Sequence, residues 1–213
     1  MSVADPLRDL LTQGLDELGM RRDLIEPLAE LCRLLADWAR RMNLTAHRTP
    51  ADVARRLVLE ALAIARVCPF TEPESLVDLG SGAGFPGIPM ALLWPQCRVT
   101  LVESRERRHH FQRASIRALG LANATALRGR AEDCDPVVHQ VGVAQAMAAP
   151  SQALAWLAPW VAEGGWLLLP RPAAGQPIAP PPGIEPVCER AYQAPLGGPA
   201  RVLWLGRRRV ELP

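Results

Sequence analysis

An α/β fold with a mostly parallel sheet, antiparallel edge strands and an N-terminal helical extension is predicted by three features of this 213-residue sequence. Apolar residues at helical spacing open the chain. From residue 75 onward, short apolar runs alternate with helical patterns, as βαβ units around a parallel sheet require. The first of those runs passes straight into a glycine-rich turn and another helix.

Two helical patterns come first. The clearer one carries Leu24, Leu28, Leu31, Leu35, Trp38 and Met42 on a single stripe, with Arg33, Asp37, Arg40 and Arg41 mainly off it. That stripe needs a partner surface, most simply the domain that follows, and Trp38 reads as core rather than as a base-stacking platform. After a break at Asn43-Leu44-Thr45, Thr49-Pro50 reads as an N-cap and a first helical residue. The helix so started runs through Leu57, Ala61, Leu62 and Ile64.

Ser75-Leu76-Val77-Asp78-Leu79 then reads as a short buried strand and Arg98 to Glu103 as a second. Ala124 to Leu127, Val137 to Ala144 and Trp166 to Leu169 are further strands, with helices over Arg105 to Leu119 and Ser151 to Val161. The proline-rich stretch Gln176 to Gly183 is a loop. Apolar runs at Ile184 to Cys188 and Val202 to Leu205 suit an antiparallel pair at the sheet edge. The expected organisation is a helical segment over 1–74 packed on a core over 75–213, one compact domain in all.

Composition narrows the class. Apolar residues make 49% and charged residues 22% of the chain, ordinary for a soluble globular protein. A net charge of +2 does not announce a nucleic-acid binder, and the 24 basic residues, all arginine, fit biased codon usage. Cys32, Cys68, Cys97, Cys134 and Cys188 have neither framework nor zinc spacing, which points to a reducing compartment and to no metal. The opening MSVADPLRDLL does not resemble a signal peptide, and no apolar run approaches the roughly 18 residues of a membrane span. A cytoplasmic protein is expected.

The sharpest signal is Val77-Asp78-Leu79-Gly80-Ser81-Gly82-Ala83-Gly84-Phe85-Pro86-Gly87. Glycines let the backbone turn tightly and approach a ligand, and ligands of open parallel sheets bind at the carboxyl ends of strands. Gly80-x-Gly82-x-Gly84 is the pattern of S-adenosylmethionine-dependent methyltransferases, whereas Gly82-x-Gly84-x-x-Gly87 matches the dinucleotide fingerprint. Three details favour the first. Asp78 stands where methyltransferases carry an acid facing the methionine part of the cofactor. Pro86 removes a backbone N–H that a pyrophosphate wants. Gly129-Arg130-Ala131-Glu132-Asp133 follows the third strand, where an acidic loop borders adenine. Glu103, ending the second strand, can accept both ribose hydroxyls. A ligand-free structural turn is the remaining alternative.

Asn43-Leu44-Thr45-Ala46, the glycine stretch continued through Ile88-Pro89, and Glu103-Ser104 with Arg107-Arg108 together resemble the RsmG (GidB) family, the guanine-N7 methyltransferases of small-subunit ribosomal RNA. The resemblance covers roughly residues 25 to 170 well and the rest loosely. It implies a Rossmann-like class I methyltransferase fold, S-adenosylmethionine as cofactor, and 16S rRNA or the small ribosomal subunit as partner. Nothing in the sequence demands more than a monomer. It also implies a cofactor set of Asp78, Gly80, Gly82, Gly84, Phe85, Glu103, Ala131, Glu132 and Gln145, and substrate contacts at Asn43, Arg48 and Arg171. No catalytic residue is assigned. The sequence departs from the family's Ser-Arg-Ala triplet at Ala144-Gln145-Ala146, from its His and Asp-Ser pair at Leu57 and Glu60-Ala61, and from its lysine at Arg171.

Two rival functions follow from those departures and from the low net charge. One is a cofactor-binding protein with weakened transfer that serves as an RNA-binding or assembly factor. The other is a methyltransferase for a protein or small molecule. Arg40, Arg41 and Arg48, the arginines of the helix after Glu103 (Arg105, Arg107, Arg108, Arg113, Arg117) and the tail Arg207-Arg208-Arg209 are candidate RNA contacts. A solvated surface explains each of them as well.

Overall fold

The computed structural model describes residues 5–210. Residues 1–4, which begin the stretch read for a signal peptide, and residues 211–213 lie outside the described residues.

Helix α1 (Pro6–Leu18) starts at an Asp5 cap that accepts the Leu7 N–H and stops at Gly19, whose left-handed backbone closes the last turn. Helix α2 (Ile25–Arg41) carries the apolar stripe read from the sequence, with Leu28, Leu31 and Leu35 fully buried. Thr49 caps the next helix by accepting the Asp52 N–H, as its place before Pro50 predicts. That helix runs as α3 (Pro50–Val53), a π-helical turn over Ala54–Val58, and α4 (Leu59–Arg66). Every residue of α4 except Arg66 is buried, Glu60 included.

The sheet has the order β3-β2-β1-β4-β5-β7-β6. Strands β1 (Ser75–Leu79), β2 (Arg98–Glu103), β3 (Ala124–Arg128), β4 (His139–Ala144) and β5 (Val161–Pro172) are parallel, and β6 (Ile184–Gln193) and β7 (Ala200–Arg208) run antiparallel at one edge. Helices α5 (Gly87–Leu93), α6 (Glu106–Ala118) and α7 (Pro150–Leu157) make the crossovers after β1, β2 and β4. The chain leaves β1 first toward β2 and later toward β4, so the strand order reverses between β1 and β4, where a crevice opens at the carboxyl ends.

Alternation along the strands separates two apolar layers. Leu76, Val99, Leu101, Val141, Val143, Leu168, Leu203 and Leu205 join α1, α2, α4, α5 and α6 on one face. Val77, Leu79, Val102, Leu167, Leu169 and Trp204 meet α7 on the other. The Trp38 ring of α2 packs edge-on against Phe111 of α6 at 5.5 Å between centroids, which makes Trp38 a core residue.

Several boundaries differ from the sequence reading. The helix read to Val161 stops at Leu157, where a 3-10 turn over Ala158–Trp160 with Pro159 in it leads into β5, and β7 spans Ala200–Arg208 because it pairs along β6 over that whole length. β4 starts at His139 because Val137 and Val138 are 62% and 53% exposed beyond the ladder. β6 continues to Gln193 although its apolar signal fades after Cys188, because an edge strand pairs on one side and leaves most of its side chains in water. β5 reaches back to Val161 and on to Pro172, farther than its Trp166–Leu169 apolar run, because His139 of β4 pairs at Val161 and β7 pairs from Trp166 to Pro172.

Phe111 joins α6 to the α2 stripe and is fully buried. Phe111→Ala should destabilise the protein by about 3–5 kcal/mol, read as a lower denaturant midpoint, with the α2 and α6 spectroscopic changes still coincident. A loss below about 1 kcal/mol would mean that α2 does not depend on this contact.

Candidate functional site

The turn after β1 is pinned from three sides. Both the Gly80 and Ser81 N–H groups donate to the Val102 carbonyl of β2, at 2.9 and 3.0 Å. The Gly87 N–H donates to Asp78 Oδ2 at 2.7 Å. Gln112 of α6, fully buried, donates through Nε2 to Ser81 Oγ at 2.7 Å and to the Gly82 carbonyl at 2.8 Å. Gly80 has φ +71°, and a Cβ there would stand 2.9 Å from Met147 Cβ, so a bare backbone is needed at the mouth of the turn.

Beside it lies a cleft of about 300 Å³, bordered by Gly80, Glu103, Arg108, Ala131, Glu132 and Met147. Glu103 is 5% exposed. Its Oε1 accepts the Arg105 N–H at 2.7 Å, while Arg108 Nη1 stands 3.7 Å from Oε2, too far for a hydrogen bond. The carboxylate therefore keeps acceptor capacity facing the cleft, as a vicinal diol requires. Glu132 lies across the cleft in the loop after β3, with Arg130 Nη1 3.7 Å from its Oε1. A carboxylate with free acceptor positions, a second acid and a glycine backbone around one cleft fit a nucleoside bearing a short polar tail.

The structure brings together Gly80, Glu103, Ala131 and Glu132 of the expected cofactor set. Asp78 lies beneath the turn instead of along the cleft, fully buried, with Oδ2 on the Gly87 N–H and Oδ1 without a partner. Gly82 and Gly84 take positive φ within the turn, and Phe85 packs against the larger core layer. Gln145 directs its amide away from the cleft to Glu60 of α4, at 3.3 Å. Asn43 and Arg48 are exposed on the loop between α2 and α3. Arg171 is bound to Glu189 of β6 and to the Gln176 carbonyl, so its guanidinium is committed within the β5–β6 region.

The basic tail has a different occupation from RNA contact. Arg207 stacks over the Trp166 ring at 3.7 Å and donates to the Gly164 carbonyl, and Arg208 donates to the Val161 and Ala158 carbonyls. Both therefore brace the amino end of β5, opposite the cleft. Sequence reasoning missed Gln112 and Met147, and it took Arg108, which lines the cleft beside Glu103, for a candidate RNA contact. For Gln112 a signal exists, a polar residue beside Phe111 on the buried face of α6 with Ser115 three positions on. Met147 has none, since only the fold brings it against Gly80.

Among the described residues, no helix is long and apolar enough to cross a membrane, and no group of three His, Cys, Asp or Glu residues is placed to hold a metal.

Comparison with known proteins adds a family. The family described as "rRNA small subunit methyltransferase G" matches residues 24–174. Ribosomal RNA small subunit methyltransferase G of Stenotrophomonas maltophilia is 40% identical over 160 residues, which is 75% of this chain and 71% of that protein. The protein of the same name from Xanthomonas campestris pv. campestris is 38% identical over 161 residues, again 75% and 71%. Among solved structures, P. horikoshii TYW2 in complex with MeSAdo superposes with a TM-score of 0.53 at 16% identity, over 72% of this chain and 63% of that one, a likeness of fold.

Burial lifts the Asp78 carboxyl from its usual 3.8 to about 7, helped by the Glu103 charge and opposed by the Gly87 N–H. Its folded-state proton is held more tightly than the unfolded one, so its contribution to stability is full below about pH 4 and is lost as pH rises through about 7. Asp78→Asn keeps an oxygen for Gly87 and removes the titration. The stability of the natural protein minus that of the variant, from urea unfolding without ligand, should fall between about pH 4 and pH 7 and level off above. A difference that stays flat would place Asp78 in the ordinary carboxylate range.

Proposed function

The chain belongs to the family of ribosomal RNA small subunit methyltransferase G, and we propose that it transfers the methyl group of S-adenosylmethionine to a guanine N7 of small-subunit ribosomal RNA. The observation that carries this reading is the joining of Glu103, Glu132 and the bare Gly80 backbone around one cleft at the strand-order reversal. S-adenosylmethionine supplies an electrophilic methyl on a sulfonium when bound. Glu103 holds the ribose hydroxyls through its free acceptor positions. The Glu132 loop with Ala131 borders the adenine, and Gly80 with Met147 meets the methionine end. Asp78, Gly82, Gly84 and Phe85 act from beneath, keeping the turn in shape.

Guanine N7 has an exposed lone pair, so transfer to it needs no general base. What the protein must do is hold the nucleophile in line with the methyl, and such positioning is worth about 7–11 kcal/mol. The chain is organised for this as a helical segment over 1–74 packed on the cofactor-binding core of 75–213. Asn43 and Arg48, exposed beside the carboxyl edge, and the exposed arginines of α6 serve the RNA. The protein acts as a cytoplasmic monomer without metal.

Two measurements test this. Glu103→Ala should weaken S-adenosylmethionine binding roughly ten- to a hundredfold in titration calorimetry, since hydrogen bonds to a charged group contribute about 1.5–3 kcal/mol; unchanged affinity would remove the ribose from Glu103. Labelled methyl should pass from S-adenosylmethionine to small ribosomal subunits that lack the modification and map to one guanine N7. Transfer should slow as salt rises, because arginine–phosphate contacts release counterions. Cofactor binding without incorporation into subunits would leave the fold and overturn the substrate.

A further inference from the structure

A second polar cluster lies outside the lining of the cleft, joined to it through Gln145, which precedes the cleft residues Ala146 and Met147. Its centre is Glu60, 8% exposed on a helix whose other buried residues are all apolar. A carboxylate in such a place is costly unless partnered. Its Oε1 lies 3.3 Å from Gln145 Nε2 and 3.3 Å from Arg201 Nε of β7. Desolvation raises the Glu60 pKa, while the charges of Arg201, Arg56 and His47 and the Gln145 hydrogen bond oppose it. Tyr192 of β6, 6% exposed, has a hydroxyl without a partner, and burial, with the nearby Glu60 charge adding to it, raises the phenol's pKa. His47 comes from the same loop as Asn43 and Arg48.

These residues share one location. Gln145 follows the last residue of β4, and the next two, Ala146 and Met147, line the nucleoside cleft. Arg201 and Tyr192 are register partners on β7 and β6, and Arg201 is also opposite Pro172 at the carboxyl end of β5. Glu103 and Glu132 occupy the β2–β3 side of the cleft. The Glu60 cluster therefore stands beyond the Gly80–Met147 end, where a methyl acceptor would enter.

We propose that this cluster reads the target base as guanine, with Glu60 accepting from guanine N1–H and the 2-amino group while Arg201 and Tyr192 face O6. The assignment rests on the guanine-N7 reading of the chain. It follows from the pattern of donors and acceptors. Guanine presents an acceptor and two adjacent donors on its Watson–Crick edge, and the cluster presents donors beside a carboxylate. Adenine sets a ring acceptor where guanine has N1–H, cytosine likewise has an unprotonated ring nitrogen, and uracil flanks its one N–H with two carbonyls. Each would place a lone pair against Glu60, and sites built on buried hydrogen bonds reject such mismatches strongly. The edge read by Glu60 is also opposite N7, which stays free to face the methyl. As N7 takes the methyl, positive charge enters the ring and makes N1–H and the 2-amino group better donors. The Glu60 contacts therefore strengthen toward the transition state and favour kcat as well as binding.

The test pairs a substrate change with a residue change. Small-subunit RNA is prepared with inosine, which lacks the 2-amino group, at the methylated position. The natural protein should methylate it roughly ten- to a hundredfold more slowly than the guanine form. Glu60→Gln, checked for unaltered melting temperature and S-adenosylmethionine affinity, should lose kcat on guanine by a similar factor and treat guanine and inosine alike. The inosine arm needs no variant, so it decides even if Glu60→Gln folds poorly. Equal rates on guanine and inosine by the natural protein, or an inosine penalty that persists undiminished in Glu60→Gln, would overturn the base assignment alone. No transfer to either RNA by a natural protein that binds S-adenosylmethionine would instead overturn the functional reading, and this assignment with it.

Discussion

Everything at the carboxyl edge of the sheet depends on the fastening of the glycine turn to β2 and α6. Two adjacent amides, those of Gly80 and Ser81, share the Val102 carbonyl, while Gln112 holds the far side of the turn by Ser81 Oγ and the Gly82 carbonyl. The same strand that supplies Val102 ends one residue later at Glu103. The Gly80 backbone and the Glu103 carboxylate, which line one cleft, are thus set at a fixed spacing by one carbonyl. Burying Asp78 below the turn completes the arrangement, since its Oδ2 orients the first amide of α5. The raised pKa of that carboxyl is the cost of placing it there.

The N-terminal helices are tied into the same edge. α4 packs its apolar surface into the larger core layer and brings Glu60 with it, and the loop before α3 brings His47 near that carboxylate. Removing the helices would uncover sheet residues of the larger core layer such as Leu76, Val141 and Leu203 and would also take away the acid that anchors Gln145 and Arg201. Half of the polar edge is built from the sheet and half from the helical extension, which gives a physical reason for the extension to be held by contacts such as Trp38 on Phe111.

What the sequence disclosed follows from the range of the interactions involved. The βαβ alternation, the Thr49-Pro50 helix start and the β1–Gly80 turn are local and periodic, so they are legible without coordinates. Glu103 and Glu132 are legible because each sits at a strand end whose position the alternation fixes. The Gln145–Glu60 bond spans 85 positions and joins a helix to a strand end, and no local pattern encodes it. Arg207 and Arg208 misled for the opposite reason. A run of arginines looks like a surface feature, but antiparallel pairing of β7 with β5 sets these side chains against Trp166 and against carbonyls of the segment 158–164. The spacing places Asp78 at the cofactor, yet its carboxylate supports the turn from below rather than lining the cleft.

The departures at positions 145 and 60 take on a chemical sense once they are seen as a pair. An arginine at 145 would bring a further cation to Glu60, which already has Arg201 at 3.3 Å and the charge of Arg56 nearby. A neutral amide there donates a hydrogen bond to the carboxylate without adding charge, leaving Arg201 as the one guanidinium within 4 Å of it. A base that gains positive charge during methyl transfer is better served by that arrangement than by an excess of cations at its edge. Gln145 is thus compatible with an active enzyme, because its role here is to orient an acid, and the guanidinium at this edge comes from β7.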